Sequence, residues 1–459
     1  MPRASASFVC VLILAGACLA AEEKPSPKRP PPRYPKFTEK EVQGFVDEAR
    51  PHVERLMQRK FKKIPPVVVD DVRAMAQILA EDMEPIIRHA YPDWKDDEVR
   101  RAAQTAGREQ AQENLGKYGL RSGRLVILPS ELAHVLDSHA IAPEHAAGIL
   151  KTLIAHELLH ALQAEQCDVL SLLSTARGDD EAAARNAMVE GQAMFVQEKV
   201  GEAMNLGDAA RAYSRTFSFE EQEFPDPADR MVAARQAFLY IEGKRFVEWQ
   251  YERGGAERLW EILAKPPTTT AMIARPASYR PEPPKPFEPE CLAQFAAEFR
   301  KQGYTVTEQD QGEMDLWVAY AGAGRDDLNA VGEKIVAARS AVAQLPHSRG
   351  RVQINAYQLE GDSGKAVVDR FDKLVTASVA AYQKGDAIRA RRFHSRPFVE
   401  LDNARNYTLV LANRGGRTFL DRRIVIAARG KMVIEAVFDN HRMDPAEMKT
   451  LLERLLGEK

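Results

Sequence analysis

From Thr38 onward apolar residues recur every three or four positions, and the Thr38/Glu41 spacing is that of a capping box, which predicts a helix running towards Lys60 with a kink at Pro51. The period then shortens. "PPVVVDD" at 65–71 and "GRLVILP" at 123–129 are β-branched runs bounded by turn residues, which predicts two strands separated by charge-rich helical sequence. Pro143 suits the first turn of a helix whose apolar stripe continues through Leu150, Ile154, Leu158 and Leu162. "GDDEAAARNAMVEGQAMFVQEKVG" predicts a further helix, with Asp179 or Asp180 as N-cap and Gly201 as its stop. A third long helical pattern fills 228–252 and ends at Gly254 and Gly255.

The proline-rich passage "KPPTTTAMIARPASYRPEPPKPFEPE" interrupts this pattern and sets an expected domain boundary near 285. Beyond it, "DLWVAYAG", "RVQINAYQL", "NYTLVLA" and "RRIVIAARGKMVIEAVF" predict strands, with helices near 326–344 and 364–383 and a last one from Pro445. The expected fold class is α+β: a mainly helical domain with a small N-terminal sheet over 37–285, then a separate α+β domain over 291–459. No internal repeat is visible.

Arg3 followed by the apolar run Phe8 to Leu19 and small residues around Ala20 and Ala21 predicts a signal peptide over 1–21 and an exported protein, periplasmic or extracellular. The run is short for a span of about 20 residues, which favours cleavage over an anchor. Ala15 stands where a lipobox preceding Cys18 wants a large aliphatic residue. Residues 22–36 are proline-rich and charged, as in an extended linker. Cleavage removes Cys10 and Cys18 and leaves Cys167 and Cys291, either bridged in an oxidising compartment or present as two free thiols. The 64 Lys and Arg nearly balance the 66 Asp and Glu, so neither a nucleic acid nor an anionic membrane is an expected partner.

The chemistry concentrates in "LIAHELLHALQAEQ" at 153–166. His156 and His160 lie four residues apart, so on a helix both imidazoles project from one face and reach a single ion. Zinc accepts neutral imidazole nitrogens and leaves a position for water in catalytic sites, and the adjacent Glu157 can take that water's proton. The competing reading is a buried helix whose histidines are satisfied by backbone or carboxylate. A catalytic zinc needs a third protein ligand, and the next helix offers Glu190, which shares a face with Ala187 and Met194, where an unpaired carboxylate is costly. Gly191 weakens that helix by about 1 kcal/mol relative to alanine, as expected if the two ligand helices approach closely enough to share an ion.

With these residues the chain resembles the gluzincin metallopeptidases, in particular the peptidase-MA-like group, which pair a HExxH helix with a later EGxA helix. The matching residues are His156, Glu157 and His160, then Glu190, Gly191 and Ala193, followed by the aromatic Phe195. The resemblance extends through "FLYIEGKRFVEWQYERGG" and "PPTTTAMIARPASY" and covers about 37–285. It implies a zincin-like peptidase domain with Zn2+ on His156, His160 and Glu190, water activated by Glu157, and a donor to the developing oxyanion. Tyr240 is the first candidate donor and Tyr279 the second; a tyrosine merely packed in its helix is the competing reading for Tyr240. Two positions depart from the family pattern. Arg275 replaces a histidine expected before Pro276, and Met194 stands where thermolysin-like enzymes carry aspartate, so no partner is assigned to either imidazole.

Other motifs fail on inspection. "GDSG" at 361–364 lacks the residues that follow a serine-protease nucleophile, and Leu359 and Ala366 break a P-loop reading. "NYT" at 406–408 is a glycosylation sequon only in a eukaryotic secretory route. The expected function is therefore an exported zinc-dependent metallopeptidase acting on a peptide or protein, with no stable membrane span after signal cleavage. The alternatives are a catalytically inactive zincin scaffold that binds through 291–459, and a zinc hydrolase acting on a non-peptide substrate.

Overall fold

The computed structural model describes residues 35–457 except 112–113, 218–226, 346–347, 349, 362–363, 385–387, 399–400, 402, 414–417 and 442. The expected signal peptide and nearly all of the expected linker therefore lie outside the described residues. The chain begins with α1 (Glu39–Met57), whose Thr38/Glu41 capping box is formed and which runs unbroken through Pro51. β1 (Val67–Val69) leads to α2 (Val72–Ala90), α3 (Asp96–Ala111), β2 (Gly116–Tyr118), β3 (Leu125–Ile127) and α4 (Pro129–Ser138). β1 pairs in parallel with β3, and β2 pairs antiparallel on its other side, giving a small sheet of order β1-β3-β2. β2 was not legible in the sequence: "GKY" carries no alternation long enough to read.

Two helices form the centre of this half. α5 (Ala146–Gln166) and, after α6 (Val169–Ser174), α7 (Asp179–Ala203) bury residues on every side, which places them in the interior and not on a surface. α7 differs from its expected ends: Gly178 is the N-cap, Gly201 lies inside the helix, and Met204 closes it. Gly201 is a packing residue, because an added Cβ would lie 3.0 Å from Ala210 and 3.1 Å from Thr152. α8 (Gly207–Ser214) and α9 (Pro227–Ala237) follow. The pattern expected as one helix over 228–252 is α9, a π-helical turn (Phe238–Glu242) and α10 (Gly243–Ala264). α10 passes through Gly254 and bends at Gly255, whose φ is +61°.

After α11 (Thr270–Ala274) and α12 (Glu290–Lys301), the chain forms β4 (Thr305–Gln311), α13 (Glu313–Ala319), α14 (Arg325–Gly332), β5 (Ile335–Gln344) and β6 (Arg351–Leu359). α15 (Gly364–Lys384), β7 (Ile388–Pro397), β8 (Ala404–Asn413), β9 (Thr418–Arg429), β10 (Met432–Asp439) and α16 (Pro445–Leu455) complete it. The seven strands make one antiparallel sheet of order β4-β5-β6-β10-β9-β8-β7, so the architecture is α+β overall. Alternation sets its two faces: Ile424 and Ile426 turn towards the core that holds α15, whereas Val425 and Ala427 meet Phe295 of α12 and Leu452 of α16. Two expectations fail here. "DLWVAYAG" is helical because Leu316, Trp317 and Tyr320 bury at helical spacing, and 335–344 is a strand whose inward positions are the small Ala341 and Ala343.

The hydrophobic core is continuous across the expected boundary near 285. Phe238 meets Trp317 edge-to-face at 5.5 Å, Arg325 pairs with buried Glu242 at 2.7 Å, and Arg275 pairs with Glu313. Cys167 and Cys291 are both free, and each packs in a different apolar cluster. The sequon asparagine, Asn406, is buried and accepts a hydrogen bond from Arg423 at 2.9 Å, so it is no glycan acceptor in the folded chain. Among the described residues no helix is long and apolar enough to cross a membrane.

Candidate metal centre

His156 and His160 project from α5 towards Glu190 on α7, and all three side chains are buried. Their Nε2 atoms stand 3.2 Å apart, and Glu190 Oε2 is 3.3 Å from that of His156 and 3.5 Å from that of His160. These three separations carry information. Ligands at about 2.0–2.1 Å from a tetrahedral ion are separated by about 3.3–3.4 Å, close to the spacing of these three atoms, so the group could hold such an ion. No other trio of His, Cys, Asp and Glu among the described residues converges in this way.

A hydrogen-bonded chain reaches one of these imidazoles. Gln192 Nε2 donates to the Leu259 carbonyl at 3.0 Å, which can only accept, so Gln192 presents Oε1 to Gln163 Nε2 at 2.9 Å. Gln163 then presents Oε1 to His160 Nδ1 at 2.8 Å. Nδ1 must carry a proton in this bond, so the neutral form of His160 has its lone pair on Nε2, the atom that faces Glu190 and His156. His156 has no such partner: its Nδ1 is buried and unpaired. Gln163 and Gln192 escaped the sequence reading, although an uncharged amide at i+3 from His160 in an otherwise apolar helix was a usable signal.

Charge within the site stabilises the ionised Glu190 carboxylate and the protonated His160 against the cost of burial. Burial raises Glu190, but His160, His156 and Lys117 outweigh it and hold the carboxyl well below its ordinary value. Burial likewise lowers His160, and the Glu190 and Glu157 charges reverse the effect, so the imidazole is raised overall. Lys117 on β2 follows the same logic, its ammonium held above the usual range by Glu190, Glu157 and Asp82 against desolvation. Asp82 also accepts from Leu120 N and Arg121 N at 3.0 Å each, fixing the turn that follows β2.

Glu157 is buried and lines the same cavity as these three side chains, and its Oε2 accepts the Tyr118 N–H at 2.6 Å. The edge strand therefore orients this carboxylate. Tyr240 comes from the π-helical turn and lines the same cavity as His156, His160, Glu157 and Glu190. Burial, then the Glu190 charge, raises its phenol well above the ordinary value, so it stays a neutral donor. A single π turn of this kind is a recurrent device for re-aiming a side chain into a site. Tyr279 is not brought here: its hydroxyl donates to the Lys265 carbonyl at 2.5 Å and its ring packs on Phe246.

The role expected of Gly191 is also corrected. A Cβ there would lie 2.2 Å from the Gly243 carbonyl carbon, and one on Gly243 would lie 2.1 Å from the Ala187 carbonyl oxygen. Gly191 therefore serves the close approach of α7 to α10, the helix that follows the Tyr240 turn, while α5 packs on another side of α7. Arg275, where a histidine was expected, is paired with Glu313, and Thr270 of the same loop donates through both its N and Oγ1 to buried Asp180. No protein-family model matches the chain, and no curated protein aligns with it significantly.

Proposed function

We propose that this protein is a zinc-dependent metallopeptidase of gluzincin type, hydrolysing peptide bonds with a water that Glu157 deprotonates. The observation that carries the reading is the triangle of His156, His160 and Glu190, spaced for a tetrahedral ion, with the His160 tautomer set by Gln163. Two nitrogens and one carboxylate oxygen suit zinc, and a trio leaving one corner free suits a catalytic site more than a structural one. Bound there, zinc supplies Lewis acidity, polarising a substrate carbonyl and making water acidic enough to deprotonate near neutral pH.

The protein's own groups divide the remaining work. Glu157, held at Oε2 by the Tyr118 N–H, takes the proton of the attacking water and returns it to the leaving amine. Tyr240 donates a hydrogen bond from its hydroxyl to the oxygen that gains negative charge, a role that requires the phenol to stay neutral, as its raised pKa ensures. The Lys117 ammonium adds positive potential at the same wall of the cavity.

Glu157→Gln separates this reading from a metal-binding scaffold without turnover. The amide keeps the side chain's shape but cannot take the proton, so zinc content stays at the wild-type level while peptide hydrolysis falls by about 10²–10⁴-fold. Unchanged turnover would refute the mechanism. A wild type that holds stoichiometric zinc and cleaves nothing in broad peptide libraries would support the inactive scaffold, or a hydrolase of other substrates.

A further inference from the structure

A second cavity, of about 330 Å³ against about 40 Å³ at the metal centre, opens where the two halves of the molecule meet. One side is the start of α7 with the loop that leads into α11; the other is the fork where β4 leaves β5 and the chain turns into α13. β4 pairs with β5 only as far as Ala338, and Val336 is the extra residue of a bulge between Ile335 and Ala337. Bulges re-aim side chains. Val336 is 60% exposed, the most exposed large apolar side chain among the described residues, and it lines the cavity together with Leu316 and Phe287. A β-branched residue left open on a concave wall is apolar surface that a ligand can cover.

Charge on the same wall is unequally committed. Four carboxylates line it, and each has a partner within the chain: Asp180 accepts from Thr270, Glu181 pairs with Arg177 at 2.9 Å and also with Arg185, Asp310 lies 3.4 Å from Arg339, and Glu313 pairs with Arg275. Two of the lining cations, Arg177 and Arg275, are used in those pairs. The other two, Arg280 and Lys285, are exposed and have no hydrogen-bond or ion-pair partner among the described residues. The charge left over at this cavity is therefore positive, and it lies beside apolar surface.

These two features fix the chemistry of an occupant. Its body is apolar and its head is negative. A body rich in amides is disfavoured, because buried peptide groups need partners and the carboxylates of the wall are already paired. The volume accommodates on the order of ten to twenty water-sized groups. We infer that this cavity is a second ligand site, which takes a small anionic amphiphile: a hydrocarbon body packed on Val336, Leu316 and Phe287, with a carboxylate met by Arg280 and Lys285. The site shares no residue with the metal centre, and the inference does not rest on the hydrolase reading.

Octanoate, octylamine and octanol carry the same chain under a negative, a positive and a neutral head, and all three serve as probes of the full-length protein. Isothermal titration measures their affinity, and NMR of labelled valine methyls locates them. Octanoate is expected to bind at least about tenfold more tightly than either of the others, to shift the Val336 methyl signals, and to weaken as salt is raised. A carboxylate also binds zinc, so the titrations are run with zinc, without it and in Glu190→Ala, with the same affinity expected in all three. Arg280→Glu combined with Lys285→Glu, both at exposed positions, should reverse the order, so that octylamine binds more tightly than octanoate. Val336→Glu, which sets a carboxylate on the apolar wall, should weaken octanoate by at least about tenfold and leave octylamine no weaker. No binding, equal affinity for the three heads, loss of binding without zinc or in Glu190→Ala, or an unchanged order after the charge reversal each overturns the inference. So does tighter binding of acetyl-leucyl-leucine than of octanoate, which would make the cavity a peptide site. None of these measurements needs turnover, so the failure of this inference and the failure of the hydrolase reading are told apart.

Discussion

Two buried glutamates, one in each half of the molecule, show how differently a fold treats a carboxylate. Glu435 on β10 accepts hydrogen bonds from the Tyr320 and Tyr357 hydroxyls and from Asn355 Nδ2, the last two at 2.8 Å, and these tie α13 to the sheet. Every partner is a fixed donor of the chain. Among the described residues the polar partners of Glu190 are two imidazoles, at 3.3 and 3.5 Å, whose own nitrogens crowd each other at 3.2 Å, with His156 Nδ1 unpaired. A satisfied network holds structure together. An incompletely satisfied one leaves room for a partner from outside the chain, the role that the proposed zinc ion would fill.

The comparison breaks if the two glutamates respond alike to removal. Glu190→Ala is expected to lower zinc affinity on the order of a thousandfold, since one of three protein ligands is lost, with little cost to the metal-free fold. Isothermal titration with zinc measures it. Glu435→Ala is expected to do the reverse: about 3 kcal/mol of stability lost in denaturant unfolding, because two buried hydroxyls and an amide lose their acceptor, with zinc affinity unchanged. If both variants lose stability and neither loses zinc, the distinction between them is wrong.

The same contrast is sharpened one step away from the metal. Gln163→Ala frees the His160 tautomer and is expected to weaken zinc binding by about 10–100-fold while the protein stays folded. Gln163→Glu, which still accepts from Nδ1, should recover part of that loss, an outcome that simple packing at this position does not produce.

A smaller effect is expected where the two halves meet. Burial, only partly offset by Thr270, raises Asp180 to about 7, and burial raises Glu313 to about 7 despite Arg275. A carboxyl whose folded pKa is raised binds its proton more tightly in the folded state, so stability falls as pH rises from the ordinary 3.8 or 4.5 towards about 7, and levels off above it. Thermal unfolding of zinc-free protein across that window measures the slope. Replacing Asp180 with Asn should flatten it; a slope that the substitution leaves intact would place the protons elsewhere.

The grouping of His156, His160 and Glu190 was legible in the sequence because helical periodicity is local: it needed only a spacing of four and a second helix. Thr38 and Glu41 were legible for the same reason, as a capping box is complete within four residues. The groups that tune the site come from further away. Tyr118 lies on a three-residue strand that no periodicity marks, yet its N–H orients Glu157. Leu259 contributes a backbone carbonyl, which no residue identity advertises. Gly191 was visible as an anomaly, but its partner Gly243, more than fifty residues on, was not, and so the glycine was assigned to the packing of α5 on α7, which does form, and not to that of α7 on α10. "DLWVAYAG" misled through its β-propensity, overridden by the helical burial of Trp317 and Tyr320.

The central claim, that His156, His160 and Glu190 hold one zinc ion with a corner free for water, is tested most directly by X-ray absorption at the zinc edge of purified full-length protein, with metal content measured on the same sample. The account predicts one zinc per chain with two imidazole nitrogens and two oxygens at about 2.0–2.1 Å, and loss of the bound-zinc signal in Glu190→Ala. A sulfur-containing shell, an oxygen-only octahedral shell, or no retained zinc would contradict it.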